Sequence, residues 1–503
     1  MTSATLPKGW LVRDFTASIV VFLVAMPLCM GIAVASGVSP EKGLITGIIG
    51  GLVVGALAGS PLQVSGPAAG LAVIVFELVR DVGISALGPI LVVAGALQFL
   101  AGVLRLGGWF RAISPAVVHG MLAGIGALIV VGQFHTLFDA KPLSNGLANL
   151  VAMPDRLMGV DPLNIAGTEL ALTLGLLTIA LMLGWDRFKP AALKLVPGAL
   201  IGVVGATLAA WSLALGVVRV DVPNSIASAV TLPGADFLAT FGSPQILLSA
   251  CVIAFIASAE TLLSAAAVDR MHDGPRTHYD KELRAQGVGN LLCGLAGALP
   301  MTGVIVRSSA NVQAGAVTRL SAMLHAAWIL ALVALTPWLL REIPMAALGG
   351  VLVVTGWKLV RVSHLTHLFH HHGLLPAAIW AVTFVLVVAE DLLTGVLVGM
   401  ALSLLELLPH FRRLRLKVDT EHHGEACRIR LDGAATFIAL PKLNRALDAA
   451  PADRPIHLAL ERVPAIDHSC AETLRDWIAR RRAGGNRVEL SGDPRQLARL
   501  APA

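Results

Sequence analysis

Gln63-Val-Ser-Gly-Pro-Ala-Ala69 and Pro300-Met-Thr-Gly-Val-Ile-Val-Arg-Ser-Ser-Ala-Asn311 decide how the rest of the chain is read. Each leads into a short apolar segment, 66–79 and 305–315. A straight helical span needs roughly 20 residues, and both segments fall short. Each opens on a hydroxyl residue followed by Gly, with Pro61 and Pro67 around the first and Pro300 before the second. Short, Gly/Pro-interrupted segments at matching places in two halves of a membrane protein point to a transporter binding site.

The halves match. Ser65-Gly66 and Thr302-Gly303 lie 237 residues apart. Ile113-Ser-Pro-Ala-Val-Val-His-Gly120 resembles Ile343-Pro-Met-Ala-Ala-Leu-Gly349, with Pro115 and Pro344 separated by 229. Apolar stretches near 15–36, 42–59, 66–79, 88–106, 115–138, 167–185, 195–216, 245–267, 284–299, 305–315, 319–340, 344–360, 375–389 and 393–408 give fourteen segments, seven per repeat. Seven is odd, so the second repeat is inverted relative to the first. The basic residues agree with this count. Arg105 and Arg111, then Arg187, Lys189 and Lys194, then Arg270, Arg276, Lys281 and Arg284, then Lys358 and Arg361, then Arg412, Arg413, Arg415 and Lys417 follow even-numbered segments. The positive-inside rule makes that side, and both termini, cytoplasmic.

Composition excludes a soluble enzyme. Of the 503 residues 56% are apolar and 14% charged, with a mean hydropathy of +0.76; soluble domains are about a quarter charged. The charge is concentrated at one end, since 29 of the 70 Asp, Glu, Lys and Arg residues lie in 411–503. The net charge of +6 reflects basic loops, and no aromatic–basic motif speaks for nucleic acid. Lys8 and Arg13 precede an apolar run that continues into Pro27 without a small-residue cleavage site, as in a retained first helix. Cys29, Cys251, Cys293, Cys427 and Cys470 form no metal spacing and read as buried free thiols. His364, His367, His370, His371 and His372, like His422 and His423, lack a completing carboxylate or Cys and read as a solvated loop. Glu77, Glu390 and Asp391 read as charges at segment ends.

Two half-helices starting near Gly66 and Gly303 would aim their N-termini at a common point, and unpaired helix amides attract anions. The residues of such a site are Ser65, Gly66, Pro67, Ala68 and Ala69 on one side and Gly303, Val304, Ile305, Arg307 and Ser308 on the other, with Thr302 and Ser309 as further hydroxyls. Arg307 is a charge inside a membrane segment, and its guanidinium suits an oxyanion; pairing with Glu260 is the alternative. Glu260 interrupts the apolar run 251–259, with Ser264 one turn on. It needs Na+, a proton or Arg307 as partner. No nucleophile–base pair, nucleotide loop or resident cofactor site is legible, so transport rather than catalysis is expected.

The tail alternates strand-like runs, Ala426–Leu431 and Ile456–Leu460, with helical ones, Pro441–Ala450 and Ala471–Arg482. It reads as a small α/β domain over 425–503, joined by a linker at 411–424. Ser469 begins a helix after Asp467, as an N-cap or a regulatory hydroxyl.

Pro27-Leu-Cys-Met-Gly-Ile-Ala-Val-Ala-Ser-Gly-Val-Ser-Pro-Glu-Lys-Gly-Leu44 resembles the first-helix motif of the sulfate permease (SulP) family, to which the prestin and pendrin carriers are related. Gln63–Ala69, Glu260-Thr-Leu-Leu-Ser264 with Glu282-Leu-Arg-Ala-Gln-Gly-Val-Gly-Asn290, and Pro300–Asn311 resemble its segments three, eight, nine and ten. Ala465-Ile-Asp-His-Ser-Cys470 is similar to the strand-to-helix turn of a STAS domain. Three positions depart from the family pattern: Leu28 stands where Gln is frequent, and His468 and Cys470 depart from Asp-Ser-Ser-Gly. The resemblance implies a transmembrane domain over 1–410, with a core (15–106 and 245–340) moving against a gate (112–217 and 343–408). It also implies elevator-type alternating access, a homodimer, and a cation site at Glu260, Ser264 and Gly303 as in sodium-coupled members. The expected function is secondary transport of bicarbonate or sulfate across a bacterial-type inner membrane, coupled to Na+ or H+. A dicarboxylate or nucleobase symporter of the same fold is the alternative.

Overall fold

The computed structural model describes residues 9–110, 114–143, 146–159, 167–222, 226–233, 237, 243–269, 271–272, 274–360, 369, 374–405, 416–423, 426–436, 439–451, 454–464, 466–483 and 485–500. Lys8, Arg111, Arg270, Arg361, His364, His367, His370, His371, His372, Arg412, Arg413 and Arg415 lie outside the described residues.

The apolar runs of the first half form α1 (Trp10–Ala35) and α2 (Pro40–Ile49), the latter continued by a wider π turn at Gly50–Val54. Then come β1 (Ser65–Pro67), α3 (Ala72–Asp81) entered through a 3-10 turn at Ala69–Leu71, and α4 (Leu87–Val103). They are followed by α5 (Pro115–Thr136), α6 (Gly146–Met158), α7 (Thr168–Phe188) and α8 (Gly198–Ser212). The second half gives α9 (Pro244–Asp269), α10 (Tyr279–Leu295), β2 (Met301–Gly303), α11 (Ile305–Gln313) and α12 (Leu320–Leu335). It ends with α13 (Met345–Leu359), α14 (Leu374–Ala389) and α15 (Leu392–Leu405). Helix α6 is not among the segments expected from hydropathy: Pro154, Asp155 and Arg156 interrupt its apolar run. Among the described residues, Trp10–Ala35, Pro40–Leu57, Ile84–Val103, Ala116–Thr136, Thr168–Phe188 and Pro244–Asp269 are long and apolar enough to cross a membrane.

The chain packs as two units. One comprises Met1–Gly107, Leu122–Arg361 and Val385–Leu393; the other comprises Gly108–Met121, Val362–Phe384 and Thr394–Ala503. In the first, α4 and α10 meet along glycine. A Cβ on Gly287 would lie 2.7 Å from the Gly95 carbonyl, and one on Gly294 would lie 2.6 Å from that of Gly88. Such small-residue stripes let membrane helices pack backbone against backbone, which fixes α10 firmly beside α4. Asp14, fully buried in α1, accepts hydrogen bonds from the Val317 amide at 2.7 Å and the Thr318 amide at 3.1 Å. It thereby pins α1 to the turn ahead of α12.

In the second unit, Thr383 of α14 lies against Gly120 of α5 and Gly399 of α15. The tail forms β3 (Lys417–His423), β4 (Ala426–Asp432), α16 (Leu440–Ala449), β5 (Ile456–Arg462), α17 (His468–Ala483), β6 (Val488–Gly492) and α18 (Pro494–Leu500). Its sheet has the order β3-β4-β5-β6, antiparallel between β3 and β4 and parallel thereafter. Residues 417–423, read from sequence as the end of a linker, are its edge strand; their polar run Lys-Val-Asp-Thr-Glu-His-His carries little apolar alternation. The core follows period: Cys427, Ile429 and Leu431 alternate along β4, while Leu440, Leu443 and Leu447 on α16 and Cys470, Leu474 and Ile478 on α17 recur every three or four residues. Each such leucine contributes about 1.5–3 kcal/mol by burial. The Trp477 indole donates to the Leu447 carbonyl at 3.1 Å, which fixes α17 to α16.

Candidate functional site

β1 and β2 cross as an antiparallel pair, with Ser65 opposite Gly303, Gly66 opposite Thr302 and Pro67 opposite Met301. The sequence placed helix starts near Gly66 and Gly303. Both glycines are instead on strands, and the helices begin at Ile305 and, after the 3-10 turn at Ala69, at Ala72. The extended form wins because each dipeptide finds its main-chain partner in the other, and Pro67, which has no amide to donate, closes the end of the ladder. Pro67, Ala68 and Ala69 lead from β1 toward α3, and Val304 and Ile305 lead from β2 into α11.

Neither helix is closed by a side chain. Val304 at the N-cap of α11 and Leu71 at that of α3 provide no capping hydrogen bond. In α11 the first bond of helical spacing is Ser308 N–H to the Val304 carbonyl, 3.0 Å. The amides of Ile305, Val306 and Arg307 therefore have no intrahelical acceptor and carry the positive end of the helix dipole.

Arg307 is 0% exposed, and among the described residues none of its three side-chain nitrogens has a hydrogen-bond partner. Its guanidinium lies over Gly66, where any Cβ would collide with it, beside the Cys29 thiol, a weak acceptor, and within electrostatic reach of His325. Buried polar groups are almost always satisfied, and an uncompensated buried charge is strongly destabilising. Five N–H donors held in this way suit an oxyanion.

The hydroxyls divide into two kinds. Ser308 is committed: it donates to the Val304 carbonyl at 2.7 Å and accepts the Val64 amide at 2.9 Å, tying the approaches to both strands together. Ser309 donates to the Val306 carbonyl at 2.9 Å. The Thr302 hydroxyl is buried and unpartnered among the described residues. Thr261 grips both limbs, its carbonyl accepting Gln63 Nε2 at 2.9 Å and its hydroxyl accepting the Gly303 amide at 3.2 Å.

Glu260 precedes Thr261 on α9. Its carboxylate lies against Gly70 at the entrance to α3, where a Cβ would come within 2.7 Å of Oε2 and push the carboxylate aside. Oε2 is buried without a partner, and no ion pair joins Glu260 to Arg307 among the described residues. The two charges thus lie against different points of the same limb, Arg307 over Gly66 on β1 and Glu260 over Gly70 ahead of α3. Ser264, one turn beyond Glu260, is buried on the same helix.

α10 supports the crossing from behind with three residues at four-residue spacing. Glu282 Oε2 accepts the amides of Gly59 and Ser60 at 2.8 and 2.9 Å. Gln286 Nε2 donates to Ser65 Oγ at 2.6 Å and to Glu282 Oε1 at 3.0 Å. Asn290 accepts the Met301 amide at 2.7 Å and donates to the Met301 carbonyl at 3.1 Å. One rung holds the approach to β1, the next β1 itself, and the third β2.

The family model for the sulfate permease family matches residues 11–383. The chain belongs to that family. A STAS domain model of the Mlab type matches residues 418–502, so a multi-pass membrane transporter fold is followed by a C-terminal STAS domain. Over 404 residues the chain is 29% identical to YvdB of Bacillus subtilis (strain 168), whose name assigns it provisionally to sulfate transport; 78% of this chain and 72% of that one are covered. It is 26% identical over 409 residues to the bicarbonate transporter BicA of Picosynechococcus, covering 77% and 68%. The solved transmembrane domain of a cyanobacterium bicarbonate transporter BicA has the same fold, with a TM-score of 0.66 at 23% identity over 79% of this chain and 98% of that one.

Sequence reasoning passed over Gln63, Thr261, Glu282, Gln286, Asn290 and His325 as members of the site. The signal for three of them was there: Glu282, Gln286 and Asn290 make a polar stripe of period four that runs from the charged first turns of α10 into its small, apolar second half. Cys29, Cys293, Cys427 and Cys470 are buried as expected, but Cys251 is exposed on α9. In the STAS domain, Asp467 Oδ1 accepts the Cys470 amide at 2.8 Å. Ser469 is already the second residue of α17, so the cap belongs to Asp467 and not to Ser469. Among the described residues no group of His, Cys, Asp and Glu could hold a metal ion.

Proposed function

We propose that the protein is a secondary active transporter of a small inorganic anion, bicarbonate or sulfate, bound where β1 and β2 cross. The observation that carries this reading is Arg307: a fully buried guanidinium with no nitrogen or oxygen partner among the described residues, at the first turn of an uncapped helix. Ser65, Gly66, Pro67, Ala68 and Ala69 form one wall of the proposed site, and Gly303, Val304, Ile305, Arg307 and Ser308 form the other. Ser308 shapes the wall, since its hydroxyl is already used. Glu260, Ser264 and Gly303 hold the co-transported Na+ or H+, whose charge offsets that of the anion.

Fourteen segments in two inverted repeats account for the antiparallel pairing of β1 with β2, because a two-fold axis in the membrane plane reverses one limb relative to the other. We extend the reading to a core of 15–106 and 245–340 that moves elevator-fashion against a gate of 112–217 and 343–408. The protein would act as a homodimer in a bacterial inner membrane, with both termini and the STAS domain cytoplasmic. Uptake of labelled sulfate and labelled bicarbonate into proteoliposomes, with and without a sodium gradient, tests it. Uptake of one anion that disappears in a monodisperse Arg307→Ala protein is expected; undiminished uptake by that variant overturns the reading.

A further inference from the structure

We infer that Gln286 and Glu282 are positioning residues that turn the Ser65 hydroxyl into a fixed hydrogen-bond donor for the transported anion. The inference rests on the reading that the anion binds at the crossing.

The polarity of the chain is set from its far end. The amides of Gly59 and Ser60 can only donate, and both reach Glu282 Oε2. The other carboxylate oxygen, Oε1, faces the Gln286 side chain at 3.0 Å. An amide oxygen turned toward a carboxylate would be repelled, so the NH2 group stands there. The same nitrogen reaches Ser65 Oγ at 2.6 Å. Both N–H bonds of Gln286 are thereby used, one on Glu282 and one on Ser65. A hydroxyl has one hydrogen to give. Ser65 Oγ already accepts, and no acceptor among the described residues takes its hydrogen. That hydrogen remains for a ligand, at the position opposite Gly303 in the strand pair. Glu282, Gln286 and Ser65 are each buried, so water does not scramble the chain. A carboxylate at 286 would reverse its last link: it would accept the Ser65 hydrogen and withdraw it from the anion.

The test is a swap. Glu282→Gln with Gln286→Glu keeps the same atoms and the same net charge. The amide oxygen introduced at 282 still accepts from Gly59 and Ser60, and its NH2 donates to the carboxylate introduced at 286. That carboxylate now takes the hydrogen of Ser65. Full-length protein in proteoliposomes, assayed with labelled bicarbonate and labelled sulfate, should show an anion KM raised about tenfold, the cost of one hydrogen bond to a charged group. The melting temperature should be retained. Ser65→Ala should raise KM by a similar factor, and the swap made in the Ser65→Ala background should add nothing. A wild-type KM in the swap protein, or a swap effect that persists at full size without Ser65, overturns the inference. If the swap protein is not monodisperse, Ser65→Ala decides alone: unchanged KM overturns the inference. Loss of uptake in Arg307→Ala together with neutral Ser65 variants would preserve the site and remove only this inference. Neutral Arg307→Ala would remove the site itself.

Discussion

Two helices in this molecule begin where a strand-like segment ends, and they begin differently. In the STAS domain, α17 starts after Ile466 and Asp467, and the Asp467 carboxylate closes it at once on the Cys470 amide. At the crossing, α11 starts after β2 with Val304 at its cap and no side chain to take its first amides. A cap contributes about 0.5–2 kcal/mol, so the open start costs stability that the closed one retains. Around α11 the cost is compounded by Arg307, Thr302 and Glu260, all with buried atoms lacking partners among the described residues. The closed helix start serves the fold; the open one is where the proposed anion would arrive and leave.

The largest effect is expected from removing the charge behind the open start. Arg307→Ala forfeits a charge-assisted contact of about 1.5–3 kcal/mol, roughly tenfold to more than a hundredfold in affinity. Arg307→Lys should restore only part of it, since the charge returns without the planar fork. Anion binding by calorimetry and uptake in proteoliposomes check both. Wild-type affinity in a folded Arg307→Ala protein would leave α11 with no more function than α17.

A second variant makes the open start resemble the closed one. Val304→Asp places a carboxylate where Asp467 stands in α17, able to take the amides of the first turn and to face Arg307. Transport should fall by an order of magnitude or more while the melting temperature holds or rises. Val304→Asn, which caps without charge, should lie between. If Val304→Asp transports like wild type, the uncapped amides of α11 are not part of the anion site.

How much of this was legible in sequence follows from what each feature depends on. The broken segments, the repeat offset and Arg307 announce themselves through Gly, Pro and a charge in apolar surroundings, and the crossing was located from them. That Gly66 and Gly303 lie on strands was not legible, because their extended form comes from pairing with each other across 237 residues. The roles of Ser308 and Ser65 were likewise hidden. Serine hydroxyls look alike in sequence; only the Val304 carbonyl and the Gln286 amide distinguish the committed one from the available one. Strand β3 was missed because its edge position tolerates a polar run.

The carboxylate of α9 offers a third, subtler break. Glu260→Gln keeps shape and hydrogen-bonding capacity and removes the charge over Gly70. Uptake measured against sodium and against pH should lose whichever dependence wild type has. Affinity for the anion should drop only when that cation is present, since each ligand strengthens the other's binding by the same factor. Cation dependence that survives unchanged would take Glu260 out of the site.

The smallest effect belongs to the closed start. Asp467→Ala removes the cap on the Cys470 amide and should cost about 1 kcal/mol, a loss of roughly 4–8 °C in the melting of a domain of this size. Anion KM should not change. The pH dependence gives the comparison its sharpest form. Burial, and then the charge and hydrogen bond of Asp467, push the Cys470 thiol well above its ordinary value of 9.0. The folded domain therefore keeps this proton when the unfolded chain has begun to lose it. By linkage this contribution is fully present below pH 9.0 and is lost as pH rises beyond it. Asp467→Ala takes away one cause and leaves burial, so the variant should be less stable at neutral pH, and the alkaline loss, which begins at the unfolded thiol's titration in both proteins, should level off at a lower pH in the variant. Hydrogen exchange across β5 and α17 of the full-length protein, followed from about pH 7 to about pH 10, on either side of the ordinary thiol range, reads both quantities. A loss that levels off no earlier than in wild type would mean that Asp467 caps the helix without governing the thiol behind it.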